Sequence, residues 1–331
     1  MILARAPLRV SFLGGGTDYP AYFNQSVGSV VGCAIDHYVY VAVNSLPLIA
    51  EQRIRFTYRT TESVERPEDL EHPVLRESLR LLGIDQPLNV ATMADLPGGT
   101  GLGSSSAFTV ALLSALREFF GMAAQTPEEL AREAVFVERD LLGEHGGWQD
   151  QFHSAVGGLR RYMFDSGTVW HEMVRAPQGF QEVLSRSCIL IPFGDSRQSS
   201  RHAHVTDSAS LKSEGRSLLD ELARVSQEAC AAIEASRSAE EAVVELAHGV
   251  QRSWAVKRKL AVEDKTSKVD SRCQDLVSQG ALAAKLCGAG GSGFILAVVE
   301  PNQVDKFNCD VLGGRGIRCS IATRGIELWR H

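Results

Sequence analysis

Residues 97–107 read Pro97-Gly98-Gly99-Thr100-Gly101-Leu102-Gly103-Ser104-Ser105-Ser106-Ala107. This run separates a strand-like stretch, Leu88–Ala94, from an apolar helix-like stretch, Ala107–Phe120. Glycines let a backbone approach an anion closely. The helix that follows presents unsatisfied N–H groups and the positive end of its dipole. Three consecutive serines add hydroxyls suited to phosphate or Mg²⁺. The run is not a Walker A loop, because no Gly-Lys-Ser/Thr is present. A plain serine-capped turn is the alternative, and eleven such residues at a strand-to-helix junction weigh against it.

Two more glycine clusters flank this one, and all three abut apolar runs, as shaped loops do rather than linkers. Leu8–Leu13 reads as a strand ending in Gly14-Gly15-Gly16, followed by Thr17-Asp18-Tyr19. A carboxylate displayed on such a turn suits hydroxyl recognition, and an Asx turn is the simpler alternative. The third cluster, Gly288-Ala289-Gly290-Gly291-Ser292-Gly293, matches GxGxxG. A dinucleotide fingerprint should follow a strand and open a helix. Here the pattern predicts a helical Ala281–Leu286 before it and a buried strand, Phe294–Val299, after it. No HRD or DFG accompanies it, so a protein-kinase loop is excluded as well.

Two carboxylates stand out between the second and third clusters. Thr126-Pro127-Glu128-Glu129 forms a capping box with proline at the first helical position, and the helix is expected to run to about Leu142. Its apolar stripe is Leu130, Ala131, Ala134, Val135, Leu141 and Leu142, and Glu138 falls on that stripe. A buried carboxylate requires a cation partner or a metal. Asp150 lies in Gly147-Trp148-Gln149-Asp150-Gln151-Phe152, as a helix cap or a functional acid.

The rest of the pattern predicts a strand over 29–43 broken at Asp36-His37, a strand over 53–59 and a helix over 73–83. A hairpin is expected at 158–174, a strand at Cys188–Phe193, and helices over 200–232, 239–260 and 268–284. The tail reads as strand pieces at 316–323 and 325–329. The 331 residues, 44% hydrophobic and 22% charged, describe a soluble globular chain of two domains, with a boundary near 175–187. A net charge of −6 argues against a nucleic-acid partner. Leu96–Leu116, the longest charge-free run, is half Gly, Ser and Thr, so no membrane span is expected. Arg5 and Arg9 likewise speak against a signal peptide. Seven cysteines without a CxxC pair suggest a reducing, cytoplasmic setting and no structural zinc.

Taken together, the three glycine stretches resemble the GHMP kinase superfamily of small-molecule kinases. Arg5-Ala6-Pro7-Leu8-Arg9, Gly14-Gly15-Gly16-Thr17-Asp18-Tyr19 and Lys285-Leu286-Cys287-Gly288-Ala289-Gly290-Gly291 are most similar to the D-glycero-D-manno-heptose 7-phosphate kinases. The resemblance implies an α+β fold, with a ribosomal protein S5 domain 2-like N-terminal domain at 1–180 and a ferredoxin-like C-terminal domain at 181–331. It implies transfer of a phosphoryl group from ATP to the anomeric hydroxyl of a sugar phosphate, giving a 1,7-bisphosphate on the way to a nucleotide-activated heptose. Pro97, Gly98, Gly99, Gly101, Leu102, Gly103, Ser104, Ser105 and Ser106 would hold the ATP phosphates. Ser105 and Glu138 would hold Mg²⁺, with the choice among Ser104, Ser105 and Ser106 left open. Asp150 would take the proton of the attacking hydroxyl, and Arg9 would stabilise charge at the transferring phosphoryl. Gly16, Thr17, Asp18, Tyr19, Arg197, Gly290 and Gly291 would bind the sugar phosphate.

The chain departs from the family at two places. Galactokinases carry Gly-Glu-His where Gly14-Gly15-Gly16 stands here, which disfavours galactose, and Ser292 replaces a usual glycine. Cations for the substrate's own phosphate are sought among Arg197 and Arg201, Lys257 and Arg258, or Arg53, Arg55 and Arg59. Whether the chain forms a homodimer is left open.

Overall fold

The computed structural model describes residues 1–46, 52–194, 213–260, 263–288 and 293–331. Strand β1 (Ile2–Leu13) leads through a short helix, α1 (Pro20–Phe23), into β2 (Gly28–Ser45), and the two strands pair antiparallel. The register slips between Pro7 and Leu8, where Asp36-His37 bulges from β2. The break read from the sequence is therefore a bend within one strand, as a bulge produces. Beyond the bulge β2 changes its other neighbour. Its second half pairs with β5 and its first half with β6.

The hairpin β3 (Ile54–Thr57) and β4 (Thr61–Val64) precedes α2 (Pro73–Leu82) and β5 (Leu88–Ala94), and β3 lies parallel to β5. Helix α3 (Ser104–Phe119) buries nearly all its faces from Ser106 to Leu116. Helix α4 (Pro127–Val135) starts at Thr126 with both capping-box hydrogen bonds formed. It continues as a π-helical turn, Phe136–Leu141. Next come α5 (Gln149–Val156), the hairpin β6 (Leu159–Asp165) and β7 (Thr168–Met173), and α6 (Phe180–Ser187).

A second sheet begins with β8 (Cys188–Phe193). It is followed by α7 (Ser213–Ala235), α8 (Ala239–Leu260), α9 (Glu263–Ser278), β9 (Ala283–Leu286), β10 (Gly293–Val298), α10 (Val304–Asp310) and β11 (Ile317–Arg318). Its order is β11-β8-β10-β9, all antiparallel. The last strand, β12 (Glu327–Arg330), returns to pair with β1, so the first sheet reads β12-β1-β2-β5-β3-β4, with β6 joined to β2 and β7 to β6.

Helices α3 and α5 cover β1 on one side, while α7 and α8 also contact it. Leu8, Val10, Phe12 and Leu13 are accordingly all buried, and so is Arg9 on the opposite face of the strand.

One expectation is corrected here. Residues 283–286 form a strand, not a helix, and α9 ends at Ser278. Alanines favour a helix locally, but all four residues are buried and paired with β10, so the sheet decides. The third glycine loop therefore joins two antiparallel strands. It still fails as a dinucleotide fingerprint, now because no helix follows it.

His153 on α5 is fully buried against Tyr162, and neither ring nitrogen has a hydrogen-bond partner. Burial, reinforced by the Arg9 charge, lowers its pKa to about 3. In the unfolded chain the value is about 6.5. Between these two values the unfolded chain binds the extra proton, so stability falls as pH drops, by up to about 1.4 kcal/mol per pH step. His153→Leu is expected to flatten the decline of urea stability between pH 6.5 and 4. An unchanged slope would show that another group drives acid unfolding.

Candidate active site

Arg9, in the middle of β1, is buried, and it organises the site. Its Nε and Nη2 each donate to Asp150, at 2.7 Å to Oδ1 and Oδ2, a bidentate pair. Its Nη1 donates to the Gly101 carbonyl at 2.5 Å, and its backbone N–H to the Leu102 carbonyl at 2.9 Å. Burial opposes the charge, but the adjacent Asp150 carboxylate overcomes that and raises the Arg9 pKa. Sequence positions 9, 101–102 and 150 are thus gathered at one point.

Leu102 buries its side chain in the core, so only its backbone belongs to the loop surface. Pro97, Gly98, Gly99 and Ser105 are exposed, and Gly103 precedes α3 in a left-handed conformation without a side-chain cap. The first N–H groups of α3 are free to meet an anion above the Arg9–Asp150 pair. A Cβ on Gly103 would lie 3.5 Å from Asp150 Oδ2, which fixes how close that carboxylate sits to the loop.

The Gly14–Gly16 turn folds over the same region. Asp18 is buried and accepts from the Gly16 N–H (2.9 Å), the Gln149 N–H (3.2 Å) and Gln149 Nε2 (3.0 Å). Burial raises its pKa, against the Gly16 hydrogen bond and with Asp150 adding to the effect. Asp18 is thus held by Gln149, the residue before Asp150, and feels the Asp150 charge. Thr17 points inward instead: its hydroxyl donates to the Gly14 carbonyl and accepts from the Ser29 N–H, closing the turn. Tyr19 is buried at the start of α1.

The π-helical turn brings Glu138 beside α3. Oε1 accepts from Thr109 at 2.6 Å, and Oε2 from Ser106 at 2.9 Å and Gln151 at 2.6 Å, with Arg139 Nη2 3.6 Å away. Burial raises the Glu138 pKa, and the Arg139 charge opposes the rise. Ser106, rather than the exposed Ser105, is the hydroxyl that meets it. One buried carboxylate and one hydroxyl at the phosphate loop fit Mg²⁺, a hard cation usually held by few protein oxygens together with phosphates and water. Among the described residues no cluster of three or more His, Cys, Asp or Glu is arranged for a metal.

The third loop closes the site from the second sheet. A Cβ on Gly101 would meet the Cys287 carbonyl at 2.4 Å, and one on Gly288 would meet Gly101 Cα at 2.6 Å. The two loops touch backbone to backbone. Lys285 crosses between the sheets, donating to the Ser11 and Phe12 carbonyls at 2.8 and 3.0 Å. Burial, with Lys257 adding repulsion, lowers its pKa to about 7. Lys257 on α8 donates to the Gly288 carbonyl at 3.0 Å. Arg258 instead pairs with Asp270, and Arg53, Arg55 and Arg59 stand exposed around β3. Arg197, Arg201, Gly290 and Gly291 lie outside the described residues. Reading the sequence missed Gln149, Gln151 and Thr109, polar residues whose neighbours only the fold supplies.

Residues 72–158 match the family described as GHMP kinases N terminal domain. Over 317 residues the chain is 25% identical to the D-glycero-alpha-D-manno-heptose 7-phosphate kinase of Campylobacter jejuni, covering 93% of this chain and 91% of the relative. It is also 25% identical to the galactokinase of Chloroflexus aggregans, over 96% of this chain and 88% of that one. Its fold is that of a solved D-glycero-D-manno-heptose 1-phosphate kinase from Bacteroides thetaiotaomicron, with a TM-score of 0.78, 22% identity and coverage of 100% and 99%.

The loop contact is tested by comparing two glycines with positive φ. Gly101 (φ +79°) is packed against Cys287, whereas Gly121 (φ +64°) has open space around it. Gly121→Ala carries backbone strain alone, about 1 kcal/mol. Gly101→Ala adds a clash with backbone and is expected to lose clearly more urea stability and to raise the KM for ATP. Equal losses would mean that the loops do not depend on this contact.

Proposed function

We propose that this chain, a phosphotransferase carrying a GHMP kinase N-terminal domain, transfers the γ-phosphoryl of ATP to the anomeric hydroxyl of a sugar phosphate. D-glycero-D-manno-heptose 7-phosphate is the substrate that the N-terminal and third-loop motifs and the Campylobacter jejuni relative favour. The observation that carries the reading is the pair of buried Arg9 and half-buried Asp150, pinned against the Gly98–Ser106 loop.

The chemistry follows from the donors and acceptors present. The free N–H groups at the start of α3 and the loop backbone hold phosphate oxygens. Asp18 orients sugar hydroxyls, with three of its roughly four acceptor positions filled by backbone and Gln149 donors. Asp150 accepts the proton of the sugar hydroxyl as its oxygen bonds to the γ-phosphorus and the β–γ bridging oxygen departs with ADP. Arg9 fixes the orientation of Asp150 and places positive charge beside the transferring group. Phosphoryl transfer requires mainly positioning and charge neutralisation, and this set supplies both. Glu138 and Ser106 would hold Mg²⁺, which when bound neutralises charge on the phosphate oxygens. The free thiols of all seven cysteines support a reducing, cytoplasmic setting.

Asp150→Asn is expected to lower kcat by about 10²–10⁴ while ATP still binds, the range for one positioned base. Unchanged turnover would remove Asp150 from that role. Glu138→Gln is expected to raise the Mg²⁺ concentration needed for half-maximal rate, and an unaltered Mg²⁺ dependence would leave Glu138 as a structural acceptor only. The substrate is identified by following ADP release across sugars and their phosphates. Preference for free hexoses would overturn the heptose phosphate reading.

A further inference from the structure

At the Gly14–Gly16 turn, Gly15 is approached by polar side chains to which the reaction outlined above gives no contact with a phosphoryl group. Gly15 has no positive φ, so its lack of a side chain is not a backbone requirement. The place its Cβ would take lies 3.3 Å from Ser11 Oγ, 3.6 Å from Lys257 Nζ and 3.7 Å from Gln149 Nε2. Three polar side chains from β1, α8 and α5 therefore converge on one small space.

Two of them carry unmatched groups. Ser11 Oγ and Gln149 Oε1 are both sealed from solvent without a hydrogen-bond partner. A buried polar atom left unpaired costs about 1–3 kcal/mol, so a ligand that pairs it is favoured. Lys257 is also under-used. Among the described residues its only hydrogen bond is to the Gly288 carbonyl, and it forms no ion pair with a carboxylate. An ammonium has three donors, which leaves two unoccupied. Burial lowers the Lys257 pKa, against the Asp18 charge, so the site gains from an arriving anion that restores the charged form.

We propose that Lys257, with Ser11 beside it over Gly15, binds a phosphoryl oxygen of the reacting complex, and that Gln149 Oε1 accepts from a neighbouring hydroxyl. The phosphoryl group is either the sugar's own phosphate or the one being transferred from ATP. Lys257 suits both, since it bridges the substrate turn and the third glycine loop. This inference rests on the sugar phosphate kinase reading, and it assigns the cation that the sequence left among several candidates.

The test is steady-state kinetics of Lys257→Met on heptose 7-phosphate and on the same heptose without its phosphate. A charge-assisted hydrogen bond is worth about 10- to 100-fold. If Lys257 holds the sugar's phosphate, KM for heptose 7-phosphate rises by that factor. KM for ATP, kcat, and kcat/KM for the unphosphorylated heptose stay put. If it holds the transferred group, kcat falls with both sugars. Lys257→Arg is expected to recover part of the loss in either case. Gly15→Ala, which sets a methyl group against Ser11, Lys257 and Gln149, is expected to shift the same parameter and serves if Lys257→Met does not fold. All parameters within about twofold of the parent overturn the proposal.

A second readout separates this failure from failure of the sugar phosphate kinase reading. If Lys257 holds the sugar's phosphate, inorganic phosphate added with a non-hydrolysable ATP analogue raises the melting temperature of the parent but not of Lys257→Met; if it holds the transferred group, the analogue alone raises that of the parent more than that of Lys257→Met. An equal rise in both overturns the subsite even if no sugar phosphate is turned over.

Discussion

The structure hangs on a guanidinium that has almost no water around it. Arg9 stands in the middle of a strand buried on both faces, where an unpaired charge is strongly unfavourable. Only groups already fixed in position can satisfy it, and they come from separate parts of the chain. The Gly101 and Leu102 carbonyls present the Gly98–Ser106 loop, and Asp150 presents the start of α5. Removing Asp150 would leave Arg9 as an uncompensated buried charge. Strand, loop and helix are therefore linked by electrostatics as well as by packing. The same constraint keeps Asp150 close beneath the loop, since the carboxylate is held through both oxygens.

The second sheet is tied to this centre by backbone rather than by side chains. Gly101 and Gly288 approach closer than any Cβ would allow, and Gly293 lies against the Thr100 carbonyl. Lys285 reaches across to the last carbonyls of β1, beside Ser11 and just before the glycine turn. With its pKa lowered to about 7, this lysine is near the boundary between charged and neutral at physiological pH. An ammonium with two carbonyl acceptors and no carboxylate is held by weaker interactions than an ion pair. Strand β12 adds a second tie, because the end of the chain pairs with the start of β1. The turn that carries Asp18 thus begins from a strand end braced by both halves of the molecule.

Much of this was legible because glycine and capping signals are local. The three glycine clusters, the Thr126 capping box and the place of Glu138 on an apolar stripe depend on nearest neighbours in sequence, and the fold keeps them. What failed depended on distant partners. Ala283–Leu286 looks helical until β10 is placed beside it. Ser106 cannot be told from Ser105 until the π-helical turn sets the angle of Glu138 against α3. Thr17 looked like a hydroxyl for the substrate, but the bond to the Ser29 N–H turns it inward. Lys257 was a candidate behind Arg197, since nothing within α8 indicates that it meets Gly15 and Gly288.

The charges of Asp18 and Lys257 are coupled. Asp18 is raised by burial and by Asp150, and Lys257 is lowered by burial while Asp18 draws it up. Each is displaced toward its neutral form, and each opposes the other's displacement. Sugar hydroxyls donating to Asp18 would favour its ionised form, and a phosphoryl oxygen beside Lys257 would favour the ammonium. The two effects act in the same direction, because charging either group stabilises charge on the other. A ligand that offers a hydroxyl to one and an anion to the other gains from this coupling, whereas a ligand that offers only one gains less. A sugar carrying a phosphate, or a sugar hydroxyl next to the phosphoryl it is about to receive, has both.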